Sequence, residues 1–268
     1  MRRSDTPTSL PVAIWAPAGL AAAVLLLPLA ALCIRVDWVQ VPATLASPAA
    51  LSALGLSLLT ASIATVLCVL LGLPLALVIA RAPGPLATAL RALTTLPLVL
   101  PPLVGGLALL SLLGRGGVLG DWLAELGIRI PFTTAAVVIA QTFVALPFLV
   151  ISVEGALRSL DSGYEHVAES LGARPWTVLR RVTLPLLAPS LGAGAILCFT
   201  RALGEFGATA LFAGNSPGTT RTMPLAIYTA FNGAGVTQDT ALTLSLLLVL
   251  VAIVALMFTR VRPAGLAS

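Results

Sequence analysis

The chain has 268 residues, of which 58% are hydrophobic and only 9% charged, against about 25% charged in ordinary soluble domains. That composition fits a polytopic membrane protein and excludes a soluble domain, so the expected fold class is all-α. The net charge of +5 and the sequence pI of 10.1 come without a dense basic run, so no nucleic-acid partner is expected. The strongly basic side chains are all arginine. Without lysine the chain cannot carry an ordinary phosphate-binding P-loop, whose Lys reaches the phosphates, and no ATPase site or catalytic residue is expected in it. A single histidine, His166, and three scattered cysteines, Cys33, Cys68 and Cys198, argue against a metal site or a disulfide framework. No cofactor is expected.

Six apolar stretches follow one another. The first, Val12 to Ile34, comes after Met1-Arg2-Arg3. It is long for the apolar part of a cleaved signal peptide and reads as a retained anchor. The second, Ser52 to Ala80, carries Pro74 and has length to spare for tilt. The third, Ala92 to Leu113, contains Leu96-Pro97-Leu98-Val99-Leu100-Pro101-Pro102 and then Gly105-Gly106. Its prolines free backbone groups that lipid cannot satisfy, so this span should face protein or a water-filled path; a span merely kinked at a proline is the alternative reading. Pro101 and Pro102 are therefore candidates for a translocation path. The loop from Gly114 to Phe132 includes a short amphipathic piece, Asp121 to Leu126. The fourth span, Thr133 to Val153, carries Gln141 and Pro147. The fifth is read from Pro189 to Phe212 and the sixth from Thr240 to Thr259. No second domain or repeat is evident, so residues 1–268 read as one transmembrane domain with a polar loop, 154–188, between spans four and five.

That loop is the longest polar interruption in the chain. Its core, Leu157 to Leu187, holds Arg158, Arg174, Arg180 and Arg181 with Asp161, Glu165 and Glu169. Asp161 or Ser162 can cap a first helix. Tyr164, Val167, Ala168 and Leu171 then form one apolar stripe at helical spacing. Gly172 suits a left-handed helix end, and Pro175 suits the first position of a second helix. Trp176, Leu179 and Val182 give that helix an apolar edge, and Pro185 is expected to end it. Two short helices joined by a glycine turn make a knob that another protein can grip. The pattern resembles the coupling loop of bacterial ABC importer permeases, in which a Glu-Ala-Ala triplet, a Gly, an Ile or Val and a Leu-Pro pair stand at fixed spacing. Gly172, Val182, Leu184 and Pro185 match that pattern. The triplet falls on His166, Val167 and Ala168 and matches only at Ala168, with Glu165 one position early and Glu169 one late. The resemblance implies that Glu165, His166, Val167, Ala168, Glu169, Leu171, Gly172, Val182, Leu184 and Pro185 belong to a loop that docks on a cytoplasmic ATPase. The rival reading, a soluble helix-turn-helix DNA reader, fails because apolar spans flank the loop closely.

Within the fifth span stand Arg201 and Glu205, four residues apart and so expected on one helix face. A lone charge at the bilayer centre costs about 2.5–3.5 kcal/mol on insertion scales, so the two are expected away from lipid. They either pair to fix packing or line a path that offers positive potential to an anion. The stretch Arg201-Ala202-Leu203-Gly204-Glu205-Phe206-Gly207-Ala208 resembles the signature of oxyanion importer permeases, the molybdate/tungstate and sulfate/thiosulfate branches. The run from Phe212 to Tyr228 resembles the molybdate branch more closely. This family implies a homodimeric importer permease of the type I fold, served by two ATPase subunits and an extracytoplasmic substrate-binding protein.

Arginine placement then sets orientation. With the polar loop in the cytoplasm, Arg2, Arg3, Arg81, Arg91, Arg158, Arg174, Arg180, Arg181, Arg260 and Arg262 lie inside, and Arg35, Arg115, Arg129 and Arg221 outside. Six spans would put both termini in the cytoplasm of a bacterial cell, the protein lying in the inner membrane. An ion-coupled secondary transporter also uses broken helices, but Glu205 is the one carboxylate expected within a span. A membrane-embedded enzyme is disfavoured by the lack of paired acids inside the spans.

Overall fold

The computed structural model describes residues 11–233 and 238–258. Arg2, Arg3, Thr259, Arg260 and Arg262 lie outside the described residues. Those residues fold as α1 (Trp15–Arg35), α2 (Val41–Leu45), α3 (Pro48–Arg81), α4 (Gly84–Val99), α5 (Pro102–Leu113), α6 (Gly120–Glu125) and α7 (Thr134–Ser159). Then come α8 (Gly163–Ser170), α9 (Pro175–Val178), a π turn (Leu179–Thr183), α10 (Leu184–Leu203), α11 (Gly207–Phe212), α12 (Met223–Phe231) and α13 (Gln238–Met257). No strand occurs among the described residues.

Five segments are long and apolar enough to cross a membrane: α1, α3, α7, the run Pro175–Leu203 and α13. The third expected span is not one straight helix. It divides into α4 and α5, bent by 114°, because Pro101 and Pro102 remove two donors from the ladder in succession. The pair nevertheless joins opposite ends of the bundle. α4 starts beside the end of α3 that touches α8, where Arg81 meets Glu165. α5 ends among Leu113, Ile130 and Val137, near the start of α7.

The bundle is organised around α7, whose apolar window is the most buried of the candidate spans, whereas that of α1 is entirely unburied. α3, α7 and α10 share one core: Ala61, Ala64, Cys68 and Ala76 meet Ala145, Leu149 and Val153, with Cys198 and Ala202 closing the third side. Small residues predominate there because lipid offers no hydrophobic drive between helices, so close backbone approach must hold them together. Gly72 shows how close: a Cβ there would stand 2.8 Å from Leu149 Cδ2. Ser152 Oγ donates to the Ser190 carbonyl at 3.0 Å and ties α7 to α10. Gln141 is fully buried on α7.

Two expected boundaries move. α7 runs on past Val153 to Ser159 and so carries Glu154 and Arg158 on the helix. The expected fifth span is broken: α10 stops at Leu203, and Gly207–Phe212 forms a separate short helix. Pro185 does not end a helix as its type suggested. The segment widens at Leu179–Thr183, where the Leu184 N–H bonds the Leu179 carbonyl, and Pro185 enters α10 in its first turn. The wider turn relieves the clash a proline ring otherwise makes with the carbonyl one turn back.

Candidate functional site

The break between α10 and α11 is built by four residues. Gly204 closes α10. Glu205 follows it, so the pair with Arg201 is not made along one continuous helix face; Glu205 folds back across the helix end. Arg201 Nη2 lies 2.6 Å from Glu205 Oε2, and Glu205 is 1% exposed. The other oxygen, Oε1, accepts the Ala208 N–H at 2.9 Å, where the first turn of α11 has donors to spare. Gly207 then lets the backbone of α11 reach α5: a Cβ there would sit 2.5 Å from Pro102 Cβ. From the other side, a Cβ on Gly106 would stand 2.8 Å from the Ala208 carbonyl oxygen. The two broken crossings thus meet through glycine at the same place.

Beside that meeting point is a cavity of about 190 Å³. The α4–α5 hinge supplies Pro97, Leu98, Leu100, Pro101, Pro102 and Gly105; α7 supplies Phe143, Val144 and Phe148; α10 supplies Arg201. Three of the residues singled out from sequence, Pro101, Pro102 and Arg201, therefore share one wall. Glu205 is not part of it. Its carboxylate is spent on holding Arg201 and on capping α11, while a guanidinium has five N–H donors and one Arg201 nitrogen faces Glu205.

At the other end, α8 and α9 form the polar knob. Asp161, not Ser162, caps α8: its Oδ1 accepts the Gly163 N–H at 2.8 Å. Gly172 has φ +82°, the left-handed value that glycine adopts freely. The stripe expected on α8 points outward: Tyr164 is 60% exposed, Val167 61% and Leu171 83%, with Trp176 of α9 at 69%. Ala168 is half-buried. Exposed apolar side chains gathered on a knob mark a contact surface. His166 and Glu169 are also exposed, His166 with its Nδ1 2.8 Å from the Ser162 carbonyl. Glu165 turns the other way. It pairs with Arg81 Nη2 at 3.0 Å and accepts the hydroxyl of buried Thr183, tying α8 to α3 and to the π turn. Val182 and Leu184 are half-buried at that junction, and Pro185 is exposed; these three do not join the outward stripe.

Sequence reading missed a third cluster. Glu154, 7% exposed, takes Arg91 Nε at 2.5 Å and Arg158 Nη2 at 3.0 Å on the same oxygen. The Glu154–Arg158 spacing of one helical turn was a legible signal. The Arg91 contact spans 63 positions in sequence and was not.

Comparison with known proteins places these features in context. The family described as "Binding-protein-dependent transport system inner membrane component" matches residues 68–263. The molybdenum transport system permease protein ModB of Mycobacterium tuberculosis is 55% identical over 247 residues, covering 92% of each chain. The sulfate transport system permease protein CysT of Escherichia coli is 39% identical over 208 residues, covering 76% of this chain and 75% of its own. Among solved structures, a bacterial ABC transporter that imports the acidic polysaccharide alginate superposes with a TM-score of 0.68 at 20% identity, over 92% of each chain.

Proposed function

The chain belongs to the family of binding-protein-dependent transport system inner-membrane components, and from that premise we propose that it is the permease subunit of an ATP-driven molybdate importer. The observation that carries this reading is the likeness to a molybdenum permease along 92% of both chains. The sulfate permease is less similar over a shorter stretch, so molybdate is the assigned cargo and tungstate the nearest alternative. The ATPase is a separate subunit. The exposed stripe of α8, with Trp176, docks on it, one copy per permease of a homodimer. An extracytoplasmic binding protein delivers the oxyanion at the opposite end. The arginine bias puts α8 and both termini in the cytoplasm of a bacterial cell, with the helices in its inner membrane.

In this mechanism the permease moves no covalent bond. ATP-driven closure of the two ATPases draws the α8–α9 knobs together. The displacement reaches the bundle through Glu165, which ties α8 to Arg81 of α3 and to Thr183. The cavity beside Arg201 is a staging point for the oxyanion: a guanidinium held by Glu205 presents its remaining N–H groups to a tetrahedral dianion.

Reconstitution tests the assignment. In proteoliposomes holding this chain, its ATPase and its binding protein, labelled molybdate uptake should require ATP and stop with vanadate. Collapse of the proton gradient should leave it intact. Uptake that followed the proton gradient and ignored ATP would replace this reading with a secondary transporter; ATP-driven uptake of sulfate alone would keep the mechanism and change the cargo.

A further inference from the structure

We propose that Glu154 is a positioning residue for transport, the joint that passes movement of the α8–α9 knob to the wall of the Arg201 cavity; this rests on the importer reading above. Three observations support it. First, its place on α7. Glu154 stands five residues before the end of that helix at Ser159, and only Leu160 to Ser162 separate the helix from α8. Movement of the knob is therefore applied directly to the segment that carries it.

Second, its partners. A nearly buried carboxylate that faces two guanidiniums makes charge-assisted contacts, stronger than neutral ones. Arg91 Nε comes from α4 at 2.5 Å, and Arg158 Nη2 from α7 itself at 3.0 Å. α4 also packs on the bundle through Leu90 and the buried Ala87 and Thr94. The pair with Glu154 adds a polar tie between α4 and α7 to that apolar contact.

Third, the geometry of the lever. On α4 the first cavity residue, Pro97, lies six positions after Arg91; on α7 the nearest cavity residue, Phe148, lies six positions before Glu154. At 1.5 Å per residue both arms are about 9 Å long. The tie therefore joins two rods at equal distances from the cavity that they enclose. With it intact, α4 must follow α7. With it cut, α7 can move while the proline hinge of α4–α5 stays behind, and the Pro97–Gly105 side of the cavity wall no longer follows the α7 side. Spatial intermediacy alone does not establish coupling, so the test measures coupling itself.

The experiment uses the complete importer in proteoliposomes, with Glu154→Gln and, as an independent cut from the α4 side, Arg91→Gln. We expect each variant to hydrolyse ATP within about twofold of wild type while molybdate imported per ATP falls at least about tenfold. A cysteine reporter at position 201, in a chain otherwise free of cysteine, should lose the ATP dependence of its labelling rate. The conservative Glu154→Asp, which keeps a carboxylate facing both guanidiniums, should retain more of both readouts than Glu154→Gln. A normal ratio of import to hydrolysis in either glutamine variant would overturn the proposal. So would a Glu154→Asp variant no better than Glu154→Gln, or loss of transport and hydrolysis in equal proportion, which marks a merely structural role. If the unaltered importer takes up no molybdate with ATP, it is the functional assignment that fails, and the two failures are distinguishable.

Discussion

A single methyl group at position 207 tests whether the two broken crossings touch as closely as described. In Gly207→Ala the new Cβ would lie 2.5 Å from Pro102 Cβ, 3.3 Å from the Pro102 carbonyl carbon and 3.4 Å from the Leu103 nitrogen. Carbon atoms rest at about 3.5–4.0 Å, so the two backbones must separate by roughly 1 Å. Pro102 cannot rotate out of the way, since its ring is fixed in the first turn of α5. Overpacking of this kind costs about 1–3 kcal/mol. Exchanging Gly for Ala in a helix interior returns about 1 kcal/mol at most, and less at the first residue of α11, so the clash wins. At about 2–4 °C per kcal/mol for a chain of this size, the detergent-solubilised protein should melt several degrees lower.

The controls are internal. A Cβ on Gly155 of α7 or Gly192 of α10 meets nothing within 4 Å, so alanine there should raise the midpoint slightly or leave it unchanged. Gly106→Ala attacks the same interface from α5, where its Cβ meets the Ala208 carbonyl at 2.8 Å and Leu211 Cβ at 3.0 Å. One displacement of α11 relieves both clashes, so the double variant should cost less than the sum of the singles. A Gly207→Ala midpoint at or above wild type, with Gly155→Ala and Gly192→Ala behaving as stated, would refute the close approach and with it the described cavity wall.

Gly172→Val places a β-branched residue at φ +82° with no neighbour within 4 Å, so its cost is backbone strain alone, about 1–2 kcal/mol; it should leave the bundle folded and reduce import per ATP hydrolysed in the reconstituted system. Leu171→Ala and Trp176→Ala remove side chains that are 83% and 69% exposed; thermal stability should change by less than about 0.5 kcal/mol, while co-purification of the ATPase drops sharply. With Cys33 and Cys198 replaced, a cysteine at position 201 should react with a water-soluble thiol reagent in at least one transport state; full protection in every state would assign Arg201 to packing alone.

Much of this was legible in sequence because helix periodicity and turn chemistry are local. The stripe of α8, the left-handed Gly172 and the helix opened by Pro175 follow from neighbours a few residues apart. The proline hinge at Pro101 followed from missing donors, although its 114° angle did not. What escaped depended on tertiary partners. Pro185 reads as a stop, yet a π turn absorbs it. Arg201 and Glu205 read as one helical turn, yet Gly204 ends the helix between them and Glu205 becomes a cap. Glu154 reads as the first residue of a loop, yet α7 runs on to Ser159 and Arg91 arrives from another helix to pair with it.

The two breaks also explain each other. A helix interrupted in lipid leaves donors and acceptors that the hydrocarbon cannot satisfy, so a break survives only where protein or water covers it. Here each uses a different chemical solution. The α4–α5 hinge is built from prolines, which have no N–H to leave unpaired. The α10–α11 break keeps its donors and gives one to Glu205, whose charge Arg201 offsets. Gly106 and Gly207 then allow each break to cover the other at backbone distance. What the mutual cover does not fill is the cavity with Arg201 in its wall. The cavity, with Arg201 in its wall, is thus the geometric remainder of joining two broken helices.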